Sequence, residues 1–339
     1  MVNYRMPAEW EPHASTWIAW PHRLSDWPGK FATIGWVYGE IARTLSRYEK
    51  VNIVVRDATQ AAIVIRTLKR VDADIANIEL HEIPTNRSWL RDSGPIFVEA
   101  AGQRTALDWC FNAWAKYPDW QLDDAIPAIV ARKLRLPTRQ PMHGQTRLVL
   151  EGGSIDVNGA GQLLTTEECL LSSIQERNPG LIRGDYERVF AEYLGATEVI
   201  WLHRGIVGDD THGHIDDIAR FVNPTTILVA VENNRDDENH AILQENRDRL
   251  RGGKYTVVEL PMPSPLVLSG QRLPASYANF YIANGVVIVP TFNDPNDRIA
   301  LGILADCFPG RDVIGIHSVD LVYGLGTLHC LTQQEPLGR

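Results

Sequence analysis

Residues 279–292, NFYIANGVVIVPTF, consist of two apolar runs separated by the turn signal Asn-Gly. This pattern is typical of a β-hairpin. A helix-like segment at residues 297–308 and an apolar β-type run at residues 312–317 follow it. The order of these segments predicts a compact unit made of a hairpin, a helix and a further strand.

The same order of segments recurs along the chain as a weak internal repeat, which is the sign of an architecture built from similar units. Three further hairpin-like stretches lie at residues 95–109, 154–166 and 218–231. Helix-like segments follow them at residues 121–134, 184–195 and 237–252, and β-rich runs at residues 147–153, 198–204 and 255–261. Residues 15–21, a helix around residues 33–48 and the run at residues 51–56 resemble a fifth unit, whose first strands can be shared with the C-terminal tail.

The composition is that of an ordinary globular protein. The 339 residues are 44% hydrophobic and 22% charged, and no linker or low-complexity run divides them, so we expect a single domain over residues 1–339. No apolar run approaches the ~20 residues needed to span a bilayer. The N-terminal segment lacks the pattern of a signal peptide, and the four cysteines form no CxxC pair, which favours a reducing cytosol. The net charge of -9 argues against nucleic-acid binding and is compatible with a cationic substrate.

A polar residue opens each unit, and these residues occur at similar intervals along the chain. They are Asp92, Glu151, Asp216, Asn279 and Cys330. A single polar residue at the start of a strand is common. Five of them at the same phase of equivalent units predict that they converge on one central site.

Residues 210–217, DTHGHIDD, are dense in side chains that can bind a metal. They resemble the T-H-x-H-x-D-H zinc signature of metallo-β-lactamase-like hydrolases, in which His212 and His214 would bind one zinc and Asp216 a second. Asp217 stands where that signature has a further histidine. Downstream histidines, His240, His317 and His329, lie in no recognisable ligand context, so a zinc site is the minor alternative.

The competing interpretation assigns proton and charge chemistry to this segment without a metal. In an extended segment, residues two apart point to the same side, so His214 and Asp216 can face one pocket. Cys330 is the candidate nucleophile, because Gly324 and Gly326 precede it and allow close approach of backbone or substrate. The other three cysteines, Cys110, Cys169 and Cys307, are interpreted as structural.

Several segments of this chain resemble the agmatine deiminase family, which also contains a bacterial peptidylarginine deiminase. They occur in the family's order from residue 6 to residue 336 and read MPAEWEPHASTWIAWP, SWLRDSGPIFV, LEGGSIDV, TTEECLL, GHIDDIARF, LPASYANFYIANG and LHCLTQQEP. The resemblance implies an α/β pentein fold, an α/β propeller of five ββαβ units around a pseudo-five-fold axis. It also implies that Asp92, Glu151, His214, Asp216 and Cys330 correspond to the family's active-site residues.

The chain departs from the family pattern beside the nucleophile. Members acting on agmatine commonly read G-G-G-N-I-H-C where this chain has GLGTLHC, so Leu325 and Thr327 replace a glycine and an asparagine. They often carry asparagine at the positions of His212 and Asp217. The residues that correspond to the family's active site are retained, while their neighbours differ. The differences therefore bear on which substrate is bound more than on which reaction occurs.

The predicted residues suit the hydrolysis of a guanidinium group. Carboxylates that accept its N–H groups fix its plane, and Asp92 and Asp216 are assigned this role, with Glu151 supporting His214 or a substrate nitrogen. The thiolate of Cys330 attacks the central carbon. His214 donates a proton to the departing ammonia and then activates water, without a cofactor or metal.

Two more residues are candidates for substrate binding. Trp89 can stack on the guanidinium or its alkyl chain, although it can equally be a core residue. Asn279 is placed with the binding residues because of its phase in the repeat. The N-terminal tryptophans are expected in the core and at the rim of the site.

The leading hypothesis is a cytoplasmic deiminase that converts agmatine to N-carbamoylputrescine and ammonia. Alternatives are a deiminase of peptidylarginine or another guanidino compound, the zinc hydrolase, and a guanidine-binding protein without activity. The expected partner is a small cationic guanidino substrate, with no nucleic acid and no membrane. The sequence leaves a homo-oligomer open.

Overall fold

A computed structural model describes residues 3–338 of the chain. Its main sheets share one pattern, in which two antiparallel strands are followed by a helix and by a third strand that pairs in parallel with the second. The strands of the second to fifth units are Ile96–Ala100, Gln103–Leu107 and Thr138–Arg139; Asp156–Val157, Gln162–Thr166 and Glu198–Leu202; Ala219–Asn223, Thr226–Val231 and Thr256–Pro261; and Tyr281–Ala283, Val286–Thr291 and Asp312–His317.

The helix of each unit lies between its second and third strands. In the second to fifth units these helices are Ile126–Leu134, preceded by the short helix Gln121–Asp124, then Arg183–Leu194, Glu238–Leu250 and Asn296–Cys307. Pro127 stands in the first turn of Ile126–Leu134, where its missing N–H costs no hydrogen bond. The single helix expected over residues 121–134 is therefore two helices.

The first unit is assembled from both ends of the chain. Thr332–Pro336 pairs antiparallel with His13–Ala19, which pairs in parallel with Val51–Val55, and Ile78–Glu82 adds a fourth strand. This first unit is the one that the sequence analysis introduced as the fifth, and the strand that it was expected to share with the C-terminal tail is confirmed. Helices Phe31–Leu45 and Ala58–Arg70 connect these strands, and the former buries Ile34, Tyr38, Ile41 and Leu45 at helical spacing against the sheet.

Smaller elements complete the described chain. They are the two-residue strand pairs Met142–His143 with Thr146–Arg147 and Val267–Leu268 with Gln271–Arg272, the short helices Leu90–Ser93, Glu167–Leu171 and Leu328–Leu331, and 3-10 turns at Leu24–Asp26, Ile75–Asn77, Ala113–Ala115, Gly152–Ser154, Ile215–Asp217 and Leu321–Gly324. Within residues 3–338, no helix has the length and apolar character needed to cross a membrane.

The third strand of the second unit is a correction to the sequence prediction. We expected it at residues 147–153, but Thr138–Arg139 pairs with the second strand instead. Both residues of this short strand are exposed, so no apolar pattern marks it. Residues 147–153 supply buried Leu148 and Leu150 to a core cluster and lead the chain to Glu151.

A short turn before the first strand of each unit carries the polar residue that the repeat singled out. Asp92 lies in Leu90–Ser93, Asp216 in Ile215–Asp217 and Cys330 in Leu328–Leu331. Glu151 directly precedes the turn Gly152–Ser154, and Asn279 lies two residues before the strand Tyr281–Ala283. These turns pack closely. A Cβ on Gly152 would lie 2.3 Å from the carbonyl oxygen of Arg91, which explains the glycine there. The fold thus brings the starts of the units together.

Candidate active site

A cavity of about 390 Å³ opens above the turns that begin the units. Trp89, Asp92 and Cys330 are among its lining residues, together with the aromatic side chains of Trp114 and Tyr117. The other predicted residues are buried directly beside these. The structure therefore brings the predicted set to one place.

Asp92 is fixed at the inner end of the cavity by two donors. The indole Nε1 of Trp114 donates to Oδ2 at 2.9 Å, and the backbone N–H of Gly153 donates to Oδ1 at 3.0 Å. Burial, opposed by His214 and reinforced by Asp216 and Glu151, raises the pKa of Asp92 to about 6. A bound cation would favour the ionised form of this carboxyl.

His214 lies between two carboxylates. Its Nδ1 is 3.8 Å from Oδ1 of Asp92, and its Nε2 is 3.8 Å from Oε2 of Glu151. Neither ring nitrogen has a hydrogen-bond partner among the described residues, although the ring is buried. Burial alone lowers the pKa of His214, but Asp92, with Cys169 and Glu151, outweighs it and raises the pKa well above its ordinary value. This raised pKa favours the imidazolium form, which can give up a proton.

Glu151 is held in its ionised form by a buried arginine. Nε of Arg177 donates to its Oε1 at 3.0 Å, and both side chains are fully buried. Burial raises the pKa of Glu151, but the charges of Arg177 and His214 outweigh it and lower the value to about 2. Its Oε2 has no partner among the described residues and faces His214.

Asp216 belongs to a buried chain of charged groups. Its Oδ2 is 2.7 Å from Nδ1 of His329, and Nε2 of the same ring is 2.8 Å from Oε2 of Glu9. Burial raises the pKa of Asp216, yet His329, as the largest opposing influence, brings it below its ordinary value. Glu9 is in turn anchored by Arg91 at 3.2 Å and by Arg220 at 2.9 Å.

Cys330 lies within reach of this acidic group. Its Sγ is 3.7 Å from Oδ2 of Asp216 and 3.1 Å from Nδ2 of Asn279. Burial, followed by the charges of Asp216, Asp217 and Asp92, raises the pKa of the thiol well above its ordinary value. Without a cation nearby, the thiol is protonated.

Asn279 holds the nucleophile. Its Oδ1 accepts from Oγ1 of Thr327 at 2.7 Å and from the backbone N–H of His329 at 3.0 Å, and its Nδ2 contacts Cys330 and Asp217. It is absent from the cavity lining. Glu151, His214 and Asp216 are absent from that lining as well, so substrate binding by Asn279 stays a prediction, and the contacts seen here are with Cys330 and its neighbours.

The zinc interpretation of DTHGHIDD does not fit the geometry. Nε2 of His212 contacts Oγ of Ser172 at 3.1 Å, and His212 lines a separate surface pocket with Gly213. Among residues 3–338, the atoms close enough to hold a metal together belong to Glu151, Cys169 and His214 instead. The two histidines of the segment do not share a ligand cluster.

Trp89 is a buried residue that also lines the cavity, so its stacking on a substrate stays a prediction. Its ring packs on Trp27 with a centroid distance of 5.4 Å, and it lines the cavity beside Cys330. Of the N-terminal tryptophans, Trp17, Trp20 and Trp27 are core residues, as expected, while Trp36 is half exposed.

The outer part of the cavity carries both signs of charge. Arg87 contacts Asp26 at 2.6 Å and Asp119 at 3.5 Å, and Arg23 pairs with Asp119 as well. Leu325 also lines this part, with a φ of 68°, a left-handed conformation that glycine adopts with less strain.

Arg87 lies over the ring of Tyr117 at 4.3 Å, and Asp210 accepts from the hydroxyl of that tyrosine at 2.7 Å and pairs with Lys116. Asp210 lines the cavity, so a carboxylate faces a ligand here.

Sequence reasoning missed four residues that support the site: Glu9, Trp114, Arg177 and His329. Glu9 and His329 lie in segments that resemble the agmatine deiminase family, MPAEW and LHC. That resemblance could have marked both residues as part of the site. The sequence near Arg177 and Trp114 indicates no partner for either. Arg177 contacts Glu151, 26 positions away, and Trp114 contacts Asp92, 22 positions away.

Gly153 gives a direct test of the geometry. A Cβ at this position would lie 2.5 Å from Nδ1 of His214 and 2.8 Å from Oδ1 of Asp92. We expect Gly153→Ala to lower kcat/KM roughly 100-fold, because displacements of about 1 Å at reacting groups have effects of that size. The measurement is steady-state kinetics together with thermal unfolding.

The matched control is Gly302→Ala on the helix Asn296–Cys307. A Cβ at Gly302 meets nothing within 4 Å, so activity should stay unchanged and Tm should hold or rise. Full activity in a folded Gly153→Ala protein would contradict the arrangement of His214 and Asp92 described here.

Comparison with known proteins agrees with this geometry. Residues 5–336 match the family model of Porphyromonas-type peptidyl-arginine deiminases. Agmatine deiminase of Pseudomonas aeruginosa (strain LESB58) is 36% identical, with 99% of this chain and 96% of that protein covered. A Cys-to-Ser variant of C. jejuni agmatine deiminase, solved with substrate bound, has a TM-score of 0.90 at 32% identity, covering 99% of this chain and 97% of that one.

Agmatine deiminase of Enterococcus faecalis, solved while catalysing its reaction, has a TM-score of 0.87 at 32% identity, with 98% of this chain and 96% of that one covered. Together, the fold and the site define a guanidine-modifying hydrolase of the pentein class. The chain belongs to the agmatine deiminase family, which the matching model describes as Porphyromonas-type peptidyl-arginine deiminases. The predicted family and fold class are thereby confirmed.

Proposed function

We propose that this protein hydrolyses agmatine to N-carbamoylputrescine and ammonia. The observation that carries the proposal is the convergence of the Cys330 thiol, the His214 imidazolium and the carboxylates of Asp92, Glu151 and Asp216 in one buried group. The relatives named agmatine deiminase, which are similar over nearly the full chain, support it.

The carboxylates bind and orient the guanidinium. Oδ1 of Asp216 and Oε2 of Glu151 are buried acceptors without partners among the described residues, and Asp92 ends at the cavity. Buried acceptors without donors are costly, so a planar cation with several N–H groups is the complementary ligand. Trp89 and Trp114 line the cavity and suit the alkyl chain.

Substrate binding activates the nucleophile. Asp216, Asp217 and Asp92 raise the pKa of the Cys330 thiol in the unliganded site. A guanidinium bound among these carboxylates offsets their charge and lowers the thiol pKa, so the thiolate forms where its target carbon is held. The bound substrate is therefore the main factor that activates the Cys330 thiol.

His214 then handles the protons. The thiolate attacks the guanidinium carbon, and the His214 imidazolium protonates the departing nitrogen, which leaves as ammonia. A thiouronium remains on Cys330. Neutral His214 next takes a proton from water as the water attacks the same carbon. The C–S bond then breaks, the hydroxyl proton of the adduct passes to the sulfur, and the ureido product leaves the Cys330 thiol.

A second candidate substrate is arginine, free or within a peptide. Arg23 and Arg87 line the outer cavity, and guanidinium groups are good partners for a carboxylate. Both already pair with Asp119, and Arg87 also pairs with Asp26. Asp210 lines the same cavity and, although it pairs with Lys116 and Tyr117, its negative charge favours the primary ammonium of agmatine over an α-carboxylate.

We further propose a single catalytic domain over residues 1–339 that acts in the cytoplasm on a small molecule, without nucleic acid, membrane or cofactor. A site whose nucleophile is a thiol works best in a reducing compartment. The four cysteines are free thiols in the structure.

A substrate series tests the proposed function. We expect kcat/KM for agmatine to exceed that for free arginine by roughly 100-fold, because an α-carboxylate must enter a region where the arginines are already paired. The measurement is ammonia release from agmatine, arginine, benzoyl-arginine amide and shorter or longer guanidinoalkylamines.

The outcomes separate the candidates. Equal turnover of the blocked arginine would establish the peptidylarginine alternative. A preference for another guanidinoalkylamine would keep the chemistry and change the substrate. Ammonia release from none of them would remove the proposed function.

A further inference from the structure

The group formed by Glu151, Cys169 and His214 has a second capability besides proton transfer. One ligand atom of each residue lies within 4.8 Å of the others, and all three side chains are buried. They come from separate parts of the fold: Cys169 from the helix Glu167–Leu171, and the other two from positions directly before 3-10 turns. The proposed deiminase chemistry makes no use of Cys169.

The donor atoms are free to bind. Oε2 of Glu151 and both ring nitrogens of His214 have no hydrogen-bond partner among the described residues. Arg177 donates to Oε1 of Glu151, which leaves Oε2 as the ligand atom and turns it toward His214. Buried polar groups without partners are uncommon, and two of them beside the Cys169 thiol indicate a site for a ligand.

The donor set has a chemical preference. One thiolate, one imidazole and one carboxylate form a combination that suits Zn²⁺ and does not suit Mg²⁺ or Ca²⁺. In a tetrahedral zinc site such ligand atoms lie roughly 3.3–3.7 Å apart. Nε2 of His214 and Oε2 of Glu151 are 3.8 Å apart and no pair exceeds 4.8 Å, so the group contracts by at most about 1.5 Å. Arg177 opposes a second cation, while the nearby carboxylates of Asp92 and Asp216 favour it.

We propose that Glu151, Cys169 and His214 form an inhibitory Zn²⁺ site. Binding displaces one proton from the Cys169 thiol and one from the His214 imidazolium to solvent, with no redox change. Zinc-bound His214 cannot protonate the leaving nitrogen or activate water. The metal therefore stops turnover, and it competes for the carboxylates that would hold the guanidinium.

The test uses the full chain after dialysis against a chelator, with Zn²⁺ set by a metal buffer and Co²⁺ as a spectroscopic probe. We expect the dialysed protein to be active, zinc to lower its rate at least tenfold at one equivalent bound, and Co²⁺ to give a thiolate-to-metal absorption band. Cys169→Ser and Cys169→Ala should lose the band and bind zinc at least about 100-fold more weakly, since losing a ligand exceeds the 10- to 100-fold effect of losing a residue that only orients one.

Matched variants decide between the two thiols near His214. Cys330→Ser should keep the Co²⁺ band, and Cys110→Ser should resemble the unaltered protein. A band that survives in Cys169→Ser and disappears in Cys330→Ser would assign the metal to the nucleophile and overturn the proposal. So would the absence of both a Co²⁺ band and bound zinc after these metals are added to the dialysed protein.

The spectroscopic measurement does not depend on turnover, whereas inhibition rests on the proposed function. If the metal binds through Cys169 but no guanidino compound is hydrolysed, the proposed function fails and the metal site stands. For the Cys169 variants, zinc sensitivity is scored as the ratio of rates with and without zinc in the same protein, so their basal rates need not match.

Discussion

Replacing Cys330 by serine is expected to lower kcat/KM for agmatine by at least about 10⁴-fold while the protein remains folded. The reaction needs a nucleophile that can attack a delocalised cation and later leave, and a serine hydroxyl ionises far less readily than a thiol. Sγ contacts Asn279 and Asp216, and the same oxygen of Asp216 is already bound to His329. Ammonia release and thermal unfolding of the purified variant measure the two parts of this expectation.

Cys307→Ser is the matched control, because Cys307 ends the helix Asn296–Cys307, is only half-buried, and should tolerate serine with unchanged turnover. Activity that survives in Cys330→Ser, or that disappears in Cys307→Ser at unchanged stability, would place the nucleophile elsewhere.

Alkylation gives an independent measure of how Cys330 is activated. Burial and the neighbouring aspartates raise its thiol pKa, so neutral chloroacetamide should label it slowly near pH 7 and faster as pH rises and the thiol ionises. The cationic analogue chloroacetamidine should label Cys330 rapidly at pH 7, because its charge among the carboxylates favours the thiolate. Equal rates for both reagents would argue against activation by the substrate.

Periodicity in the sequence was enough to predict the five units, because each hairpin is local and its apolar alternation is visible within about 15 residues. The strand Thr138–Arg139 was not predicted, because it shows no apolar alternation and is not part of a local hairpin. It is exposed and two residues long, and its pairing with the preceding strand comes from the fold around it.

Four of the residues assigned to the chemistry, Asp92, Glu151, Asp216 and Cys330, could be anticipated because each opens a repeat unit, and His214 because it lies two residues before Asp216. Those that hold them in place could not. His329 is next to Cys330 in the sequence, yet its function depends on Glu9, 320 residues away. Arg177 lies in a loop without regular pattern, and only the folded chain shows that it fixes Glu151.

His212 and His214 provide the strongest test of what the segment DTHGHIDD does. We expect His214→Asn to lower kcat at least about 10³-fold, since one residue serves as acid in the first step and base in the second, and each such role contributes 10²–10⁴-fold. Asparagine keeps a polar side chain but transfers no proton. Intact-protein mass spectrometry after mixing with agmatine should show whether a thiouronium remains on Cys330.

His212→Asn changes the neighbouring histidine in the same way and should leave kcat within about twofold. His212 has a φ of 66°, which asparagine tolerates, and its ring contacts Ser172 outside the site. A zinc hydrolase using both histidines would lose activity in either variant and recover only with added zinc. A deiminase that uses a single imidazolium between Asp92 and Glu151 loses activity in His214→Asn alone, and zinc does not restore it. Equal losses in the two variants would return the segment to the metal-site interpretation, because no contact of His212 in this structure links it to the nucleophile.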